Sequence, residues 1–285
     1  MTTATINAVK AGLSRGWIEY RQSFGSLQDL FGYFGSTAIF LVIGIALGGE
    51  QMDDTGIAVG AMTMTGGIAF LMTMAGMTTV AQVLATERED GTLLRAKALP
   101  KGMIGYFIGK SVHILLVTTT SLVFMLVVAT LLIDGFSVDG PGDVLTLVWV
   151  FVLGLLATAP IGAVIGSLVT NPRLAMGIIM LPVMGMVMIS GTFFPIDFMP
   201  QWLQGIAQVL PQYWIALGVR SVFLPDSMLS VEIGESWRHL ETAGVLGAWA
   251  IVGLIVAPFV LRRMARRESG ARVQAAREKA IQRAY

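Results

Sequence analysis

The chain holds 285 residues, 55% of them hydrophobic and only 13% charged, with a mean hydropathy of +0.74. Soluble domains are nearer a quarter charged, so the composition points to lipid, and the absence of cysteine removes disulfides, thiolate metal sites and cysteine nucleophiles together. The net charge of +1 conceals a strong segregation of charge, and only two histidines, His113 and His239, lie far apart in the chain, which argues against a catalytic or metal-binding histidine cluster.

Residues 1–29 carry the first pattern. Ile6, Val9, Leu13, Trp17, Tyr20, Phe24, Leu27 and Phe31 recur at steps of three and four, with Lys10, Arg15, Glu19, Arg21 and Gln22 off the stripe. The spacing predicts an amphipathic interfacial helix on the inner leaflet, with Trp17 and Tyr20 at headgroup depth. Packing of the stripe against protein is the other reading. This polar stretch of roughly 30 residues ahead of the first apolar run does not read as a signal peptide.

A membrane-crossing helix needs about 20 mostly apolar residues. Six runs within residues 30–261 qualify, approximately Phe31 to Leu47, Ile57 to Leu84, Tyr106 to Ile133, Val144 to Val169, Leu174 to Phe194 and Ala243 to Leu261. The expected fold is therefore an all-α polytopic membrane protein with six transmembrane helices. Charge orients it. Lys10, Arg15 and Arg21 precede the first span, while Arg88, Arg95, Lys97, Lys101 and Lys110 flank the second loop. Arg173 lies in the fourth loop, and eight further Lys and Arg occupy the tail 262–285. Of 19 basic residues only Arg220 and Arg238 fall on the opposite side, which instead holds Glu50, Asp53, Asp54, Asp134, Asp139 and Asp143. The positive-inside rule then places both termini in the cytoplasm.

Between spans two and three, residues 85–105 hold Glu87, Arg88, Glu89 and Asp90, then Gly91, then Leu93 and Leu94 among basic residues, and Pro100 as a helix stop. A short amphipathic helix across the membrane axis fits, as does a solvated basic loop. The next stretch, Gly105 to Ser111, comes within one residue of a phosphate-binding loop. Its glycine spacing is wrong and it opens an apolar span, so no ATP site is expected in this chain. Three glycine pairs, Gly44/Gly48, Gly105/Gly109 and Gly162/Gly166, are spaced for close helix approach, and one of them is expected to mark a real contact. For His113, near Lys110, a local hydrogen bond or snorkelling is favoured over a proton relay.

Met62, Thr65, Ala69, Met72, Gly76 and Thr79 share one face of span two, and Met180, Met184 and Met188 share one of span five. Flexible, polarisable side chains suit a path for varied apolar substrates, so Met72, Thr79, Met180 and Met184 are candidate path residues. Gap filling and lipid contact explain methionine equally well. Beyond span five, Pro195, Pro200 and Pro211 forbid a single span, while Phe193, Phe194, Trp202, Leu203, Ile206 and Leu210 keep the segment apolar. Residues 190–215 are expected to form an outer re-entrant helical hairpin belted by Trp202, Tyr213 and Trp214.

At these two places the chain resembles the type-2 family of ATP-binding-cassette (ABC) exporter permeases, the group that includes the daunorubicin-type drug exporters. The resemblance rests on Glu87, Glu89, Gly91, Thr92, Arg95, Leu99 and Pro100 in the loop. In the outer segment it rests on Ser190, Gly191, Phe193, Phe194, Pro195, Trp202, Leu203, Leu210, Pro211 and Arg220. Met199 and Ala96 depart from the usual residues without altering the chemistry. The resemblance implies that the loop from Glu87 to Pro100, Arg88 included, docks on separate P-loop ATPase subunits, which carry the ATP and Mg. It also implies a second permease copy, identical or related, and a bacterial plasma membrane location. No cofactor and no nucleic-acid partner are expected, and the chain is expected to be a transporter subunit rather than an enzyme. Ser190, Gly191, Phe193, Phe194, Pro195, Trp202 and Pro211 are expected to form an outer gate. The expected function is outward movement of a hydrophobic or amphipathic compound. A secondary transporter or channel is the rival, disfavoured by the lack of acids near the midplane.

Overall fold

The computed structural model describes the whole chain except residues 1–2, 52–55, 80, 82–100, 134–135, 169–171 and 268–285. The loop from Glu87 to Pro100, with every residue assigned to ATPase docking, and most of the basic tail lie outside the described residues.

Nine α-helices are described: α1 (Thr3–Gln22), α2 (Leu27–Ala46), α3 (Val59–Met74), α4 (Gly102–Leu132), α5 (Pro141–Leu168), α6 (Pro172–Ile189), α7 (Gln201–Val209), α8 (Pro211–Phe223) and α9 (His239–Arg267). A π-helical turn, Ala75–Thr79, continues α3, and short 3₁₀ turns follow α6 and α8. No strand occurs among the described residues. Four helical stretches are long and apolar enough to cross a membrane: Val59–Thr78, Ile108–Leu132, Pro141–Leu168 and His239–Ala257. The apolar parts of α2 and α6, Phe34–Ala46 and Gly177–Ile189, are shorter.

Helix α3 is the hub. Eleven of its 16 residues are buried, and α2, α5 and α8 pack around it. A helix that is apolar all round belongs inside a bundle. Helix α9 packs along α5. Pro160 of α5 sits against Gly253 of α9, where an added Cβ would come within 2.6 Å of the proline ring.

All three glycine pairs mark close helix contacts, against the single one expected. Gly105 and Gly109 of α4 face Gly12 and Gly16 of α1, where Cβ atoms would stand 2.5 Å from the Gly105 carbonyl oxygen and 2.6 Å from that of Gly109. Gly44 and Gly48 face Gly60 and Met64 of α3, and Gly162 and Gly166 of α5 face Met77 and Ala81. Small residues let backbones meet where apolar lipid gives helices no other reason to associate.

The N-terminal pattern divides into two helices. The stripe continues to Phe31, but the chain turns at Ser23–Ser26, so Leu27 and Phe31 belong to α2. Helix α1 packs on α4 through its glycine face and leaves Ile6, Leu13 and Trp17 exposed. The outer segment also differs from expectation. Helix α8 runs to Phe223, and all of it except Ser221 is buried in the protein. Tyr213 and Trp214 are therefore core residues rather than a surface belt, and only Trp202 is exposed. Arg220, counted with the outer loop charges, is fully buried in α8.

Candidate functional site

A partly open cavity of about 390 Å³ lies among α2, α3, α4 and α6. Ser36 and Thr37 line it from α2, Phe70, Met72 and Thr78 from α3 and its π turn, His113, Thr118 and Ser121 from α4, and Met180 from α6. These positions fall in the C-terminal half of α3, the first half of α2 up to its midpoint, and the middle of α4. The antiparallel arrangement thus puts the cavity in the half of the bundle that also holds the α1–α2 turn.

Further aromatic rings stack beyond Phe70, one of the lining residues. Phe40 of α2 lies 5.5 Å from Phe70 and stacks on Phe193 at 5.6 Å with the planes 12° apart. Two consecutive glycines of α3 make room for them. A Cβ at Gly66 would come within 2.6 Å of the Phe193 ring and 2.5 Å of the Thr192 carbonyl oxygen, and one at Gly67 within 2.8 Å of the Phe40 ring. Phe193 therefore joins the cavity to the break that ends α6.

The break is built from polar groups buried in the protein. Helix α6 stops where Gly191 takes a left-handed φ of +60°, beside which a Cβ would crowd Ile196 at 3.0 Å. Ser190 Oγ donates to the Val187 carbonyl at 3.1 Å and shares a 2.6 Å hydrogen bond with Thr192. Gln212 Nε2 donates to Thr192 Oγ1 at 3.0 Å, while Thr73 of α3 donates to Gln212 Oε1. Arg220 Nη1 donates to the Gly191 carbonyl at 2.9 Å, and its Nε lies 2.6 Å from Glu232 Oε1 with both side chains fully buried. Backbone groups freed by a broken helix must find partners inside the protein, and α8 supplies them.

The opposite end carries charges. Glu19 of α1 accepts from Arg15 Nε and Lys110 Nζ, each at 2.7 Å, and its Oε2 lies 3.8 Å from His113 Nδ1. Burial pushes the Glu19 carboxyl up, but hydrogen bonds and charge from Lys110 and Arg15 outweigh it and hold its pKa below the ordinary value. Ser23 and His113 Nε2 share a 2.9 Å hydrogen bond, the local partner expected for this histidine. Tyr20 and Thr120 share one of 2.8 Å.

The expected residues separate accordingly. Met72 and Met180 reach the cavity, Phe193 its aromatic side, and Ser190 and Gly191 the pinned break. Phe194 is half-buried beside buried Pro195, and buried Pro211 opens α8. Met184, Met188 and Trp202 are exposed, so the methionine face of α6 turns away from the interior. The side chain of Thr79 lies outside the described residues. The methionine face of α3 is closely packed, with Met62, Thr65, Ala69 and Met72 at most 1% exposed, and of these Met72 lines the cavity. Sequence reasoning missed Thr37, Phe40, Phe70, Gln212 and Glu232. Gly66-Gly67 in mid-span and an arginine in the apolar run from Ile215 to Phe223 were the available signals.

Residues 42–259 match the family model of ABC-2 family transporter proteins. Among curated proteins, a probable multidrug ABC transporter permease, YbhR of Escherichia coli strain K12, is 26% identical over 183 residues, covering 64% of this chain and 49% of that protein. The linearmycin resistance permease protein LnrN of Bacillus subtilis strain 168 is 29% identical over 128 residues, covering 45% and 31%. The matched parts span half or less of the length of these relatives. With the family model covering most of the helical bundle, the chain belongs to the ABC-2 family of transporter proteins.

Proposed function

We propose that this chain is the permease subunit of an ABC exporter, moving a hydrophobic or amphipathic compound outward with ATP hydrolysed by separate P-loop subunits. The observation that carries this is the cavity lined by Phe70, whose ring meets Phe40 and through it Phe193 at the broken helix. The multidrug and linearmycin-resistance names of the relatives agree with such a substrate. Helices α2 and α6 complete six spans, with α7 and α8 as the outer re-entrant hairpin. Both termini face the cytoplasm, and α1 lies in the inner leaflet with Ile6, Leu13 and Trp17 in lipid. The loop containing Glu87, Arg88, Glu89, Gly91, Thr92, Arg95, Leu99 and Pro100 contacts the ATPase, and a second permease copy completes the transporter.

In this reading substrate enters the cavity from the cytoplasmic half and leaves when Phe193 withdraws from Phe40. Ser190, Gly191, Phe194, Pro195, Trp202 and Pro211 form the outer gate around that ring, and Met72, Thr79, Met180 and Met184 lie along the path. Identification of the P-loop ATPase that copurifies with the chain, its co-expression, and ATP-driven uptake into inverted vesicles test the proposal. Joint replacement of Phe193 and Phe194 by Ala is expected to alter the rate per folded complex. Reversing the charge of Glu87 and Glu89 is expected to lower ATPase copurification or uncouple hydrolysis. Absence of ATP-dependent uptake by an intact complex overturns the exporter reading, and a normal per-complex rate in the double Ala variant removes the gate.

A further inference from the structure

We propose that the cavity selects an uncharged, hydroxyl-bearing amphiphile, a polyol head on an apolar chain, and that Thr37 is the hydrogen-bonding anchor. This rests on the permease reading above and names the class of compound the same cavity takes.

Thr37 is 0% exposed, lines the cavity, and its Oγ1 has no hydrogen-bond partner among the described residues. Threonines within helices usually return their proton to the carbonyl one turn back. Thr63, Thr120, Thr130 and Thr158 do so here, at 2.7–2.9 Å. Thr37 does not. A buried hydroxyl without a partner is unfavourable until something supplies one, and once the lining gives way enough to uncover Thr37 the site gains from a ligand that donates or accepts there.

The rest of the lining sets the charge. Ser36, Thr78, Thr118 and Ser121 add hydroxyls on three helices, and among the described residues no Asp, Glu, Lys or Arg lines the cavity. His113, the one titratable side chain among the described lining residues, is engaged by Ser23 at 2.9 Å. Glu19, the nearest acid to His113, is held by Arg15 and Lys110. A cationic or anionic ligand would therefore shed its hydration without meeting an opposite charge, whereas a hydroxyl or ether exchanges water for hydroxyl partners. Apolar surface exceeds polar in the lining, which suits the chain end of the same molecule. At about 390 Å³ the space is at the lower end of the roughly 300–1,000 Å³ typical of small-molecule sites, enough for a head group and the start of a chain.

Equilibrium binding of radiolabelled octyl glucoside, octyltrimethylammonium and octyl sulfate to the full chain in lipid nanodiscs, with empty nanodiscs subtracted, tests this. Saturable binding is expected for the glucoside, with each charged analogue weaker by about tenfold or more. Thr37→Val keeps the shape, removes the hydroxyl, and is expected to weaken glucoside binding about tenfold without lowering the melting temperature. Thr37→Ser is expected to retain it. Should Thr37→Val fail to fold, Thr118→Val removes a hydroxyl from the facing wall and is expected to weaken the glucoside alone. Equal binding of the charged analogues, absence of saturable glucoside binding, or unchanged glucoside binding in folded Thr37→Val overturns the proposal. The measurement needs neither ATP nor a partner. Thr37-dependent binding without ATP-driven transport defeats only the exporter reading. ATP-driven transport of a charged compound without Thr37-dependent glucoside binding defeats only this one.

Discussion

The break after α6 and the cavity beneath it are both polar places inside an apolar bundle, and they differ in how their polar groups are partnered. At the break the side chains meet one another: Ser190 with Thr192, Thr192 with Gln212, Gln212 with Thr73, the Gly191 carbonyl with Arg220, and Arg220 with Glu232 as an ion pair. Arg220 Nη2, Glu232 Oε2 and Tyr213 Oη nevertheless have no hydrogen-bond partner among the described residues. In the cavity Thr37 lacks one among the described residues. A linked set of buried contacts favours one arrangement of the chain, whereas a lone unsatisfied hydroxyl has affinity to spare for something else. On the proposals above, the linked contacts hold the break in its closed form and the lone hydroxyl serves binding.

The largest blow to the comparison comes from Arg220. Arg220→Met leaves the Glu232 carboxylate buried without its cation, and is expected to cost about 3–5 kcal/mol of stability. Fluorescence-detected thermal unfolding of the detergent-solubilised protein reads the loss. Replacing both partners, Arg220→Met with Glu232→Leu, is expected to recover much of it, because two apolar groups leave no orphan charge. A single variant as stable as the parent would show that the pair does not hold the break.

A smaller effect is expected where the two regions meet. Gly66→Ala drives a methyl into the Phe193 ring and the Thr192 carbonyl, costing about 1–3 kcal/mol through overpacking. Gly205→Ala is the control, since an added Cβ there meets nothing. Equal melting temperatures for the two variants would mean that the break can shift away from α3 freely, contrary to its pinning.

The smallest effect is at the charged end. The Glu19 carboxyl has a pKa below its ordinary value, so its stabilising tie is fully present above the unfolded-state pKa and fades as pH falls through the lower folded value. Hydrogen exchange of α1 is expected to be slow and even at neutral pH and to quicken only at acid pH. In Glu19→Gln that acid-dependent step is expected to vanish. An identical profile in the variant would place the tie between α1 and α4 in the glycine contacts alone.

The apolar runs located α2 to α6 and α9 well, because length and hydropathy are properties of the run itself. Rotation about the helix axis was less legible, since lipid and protein interior ask for the same side chains. Met72 on span two and Met184 on span five are both candidate path residues by the same criterion, yet one is buried and the other exposed. Arg220 was misplaced for a related reason. Counting charge by loop assigns an arginine to the nearest water, and only Glu232, 12 residues further on, reveals the partner that keeps it inside. The glycine pairs were legible as spacing, but their partners at Gly12, Gly16, Gly60 and Met77 follow only from helix order in space. Thr37 carried no signal, because an orphan hydroxyl is defined by neighbours that do not reach it.

Gly66 and Gly67 also tie distant stretches of chain into one moving part. Successive residues on a helix point about 100° apart, so the two vacancies open toward different neighbours, one admitting Phe193 from the end of α6 and the other Phe40 from α2. Because those rings also stack on each other, α3 acts as a socket for a two-pronged plug. Withdrawal of either prong uncovers the other, so the first and fifth apolar segments are linked through α3.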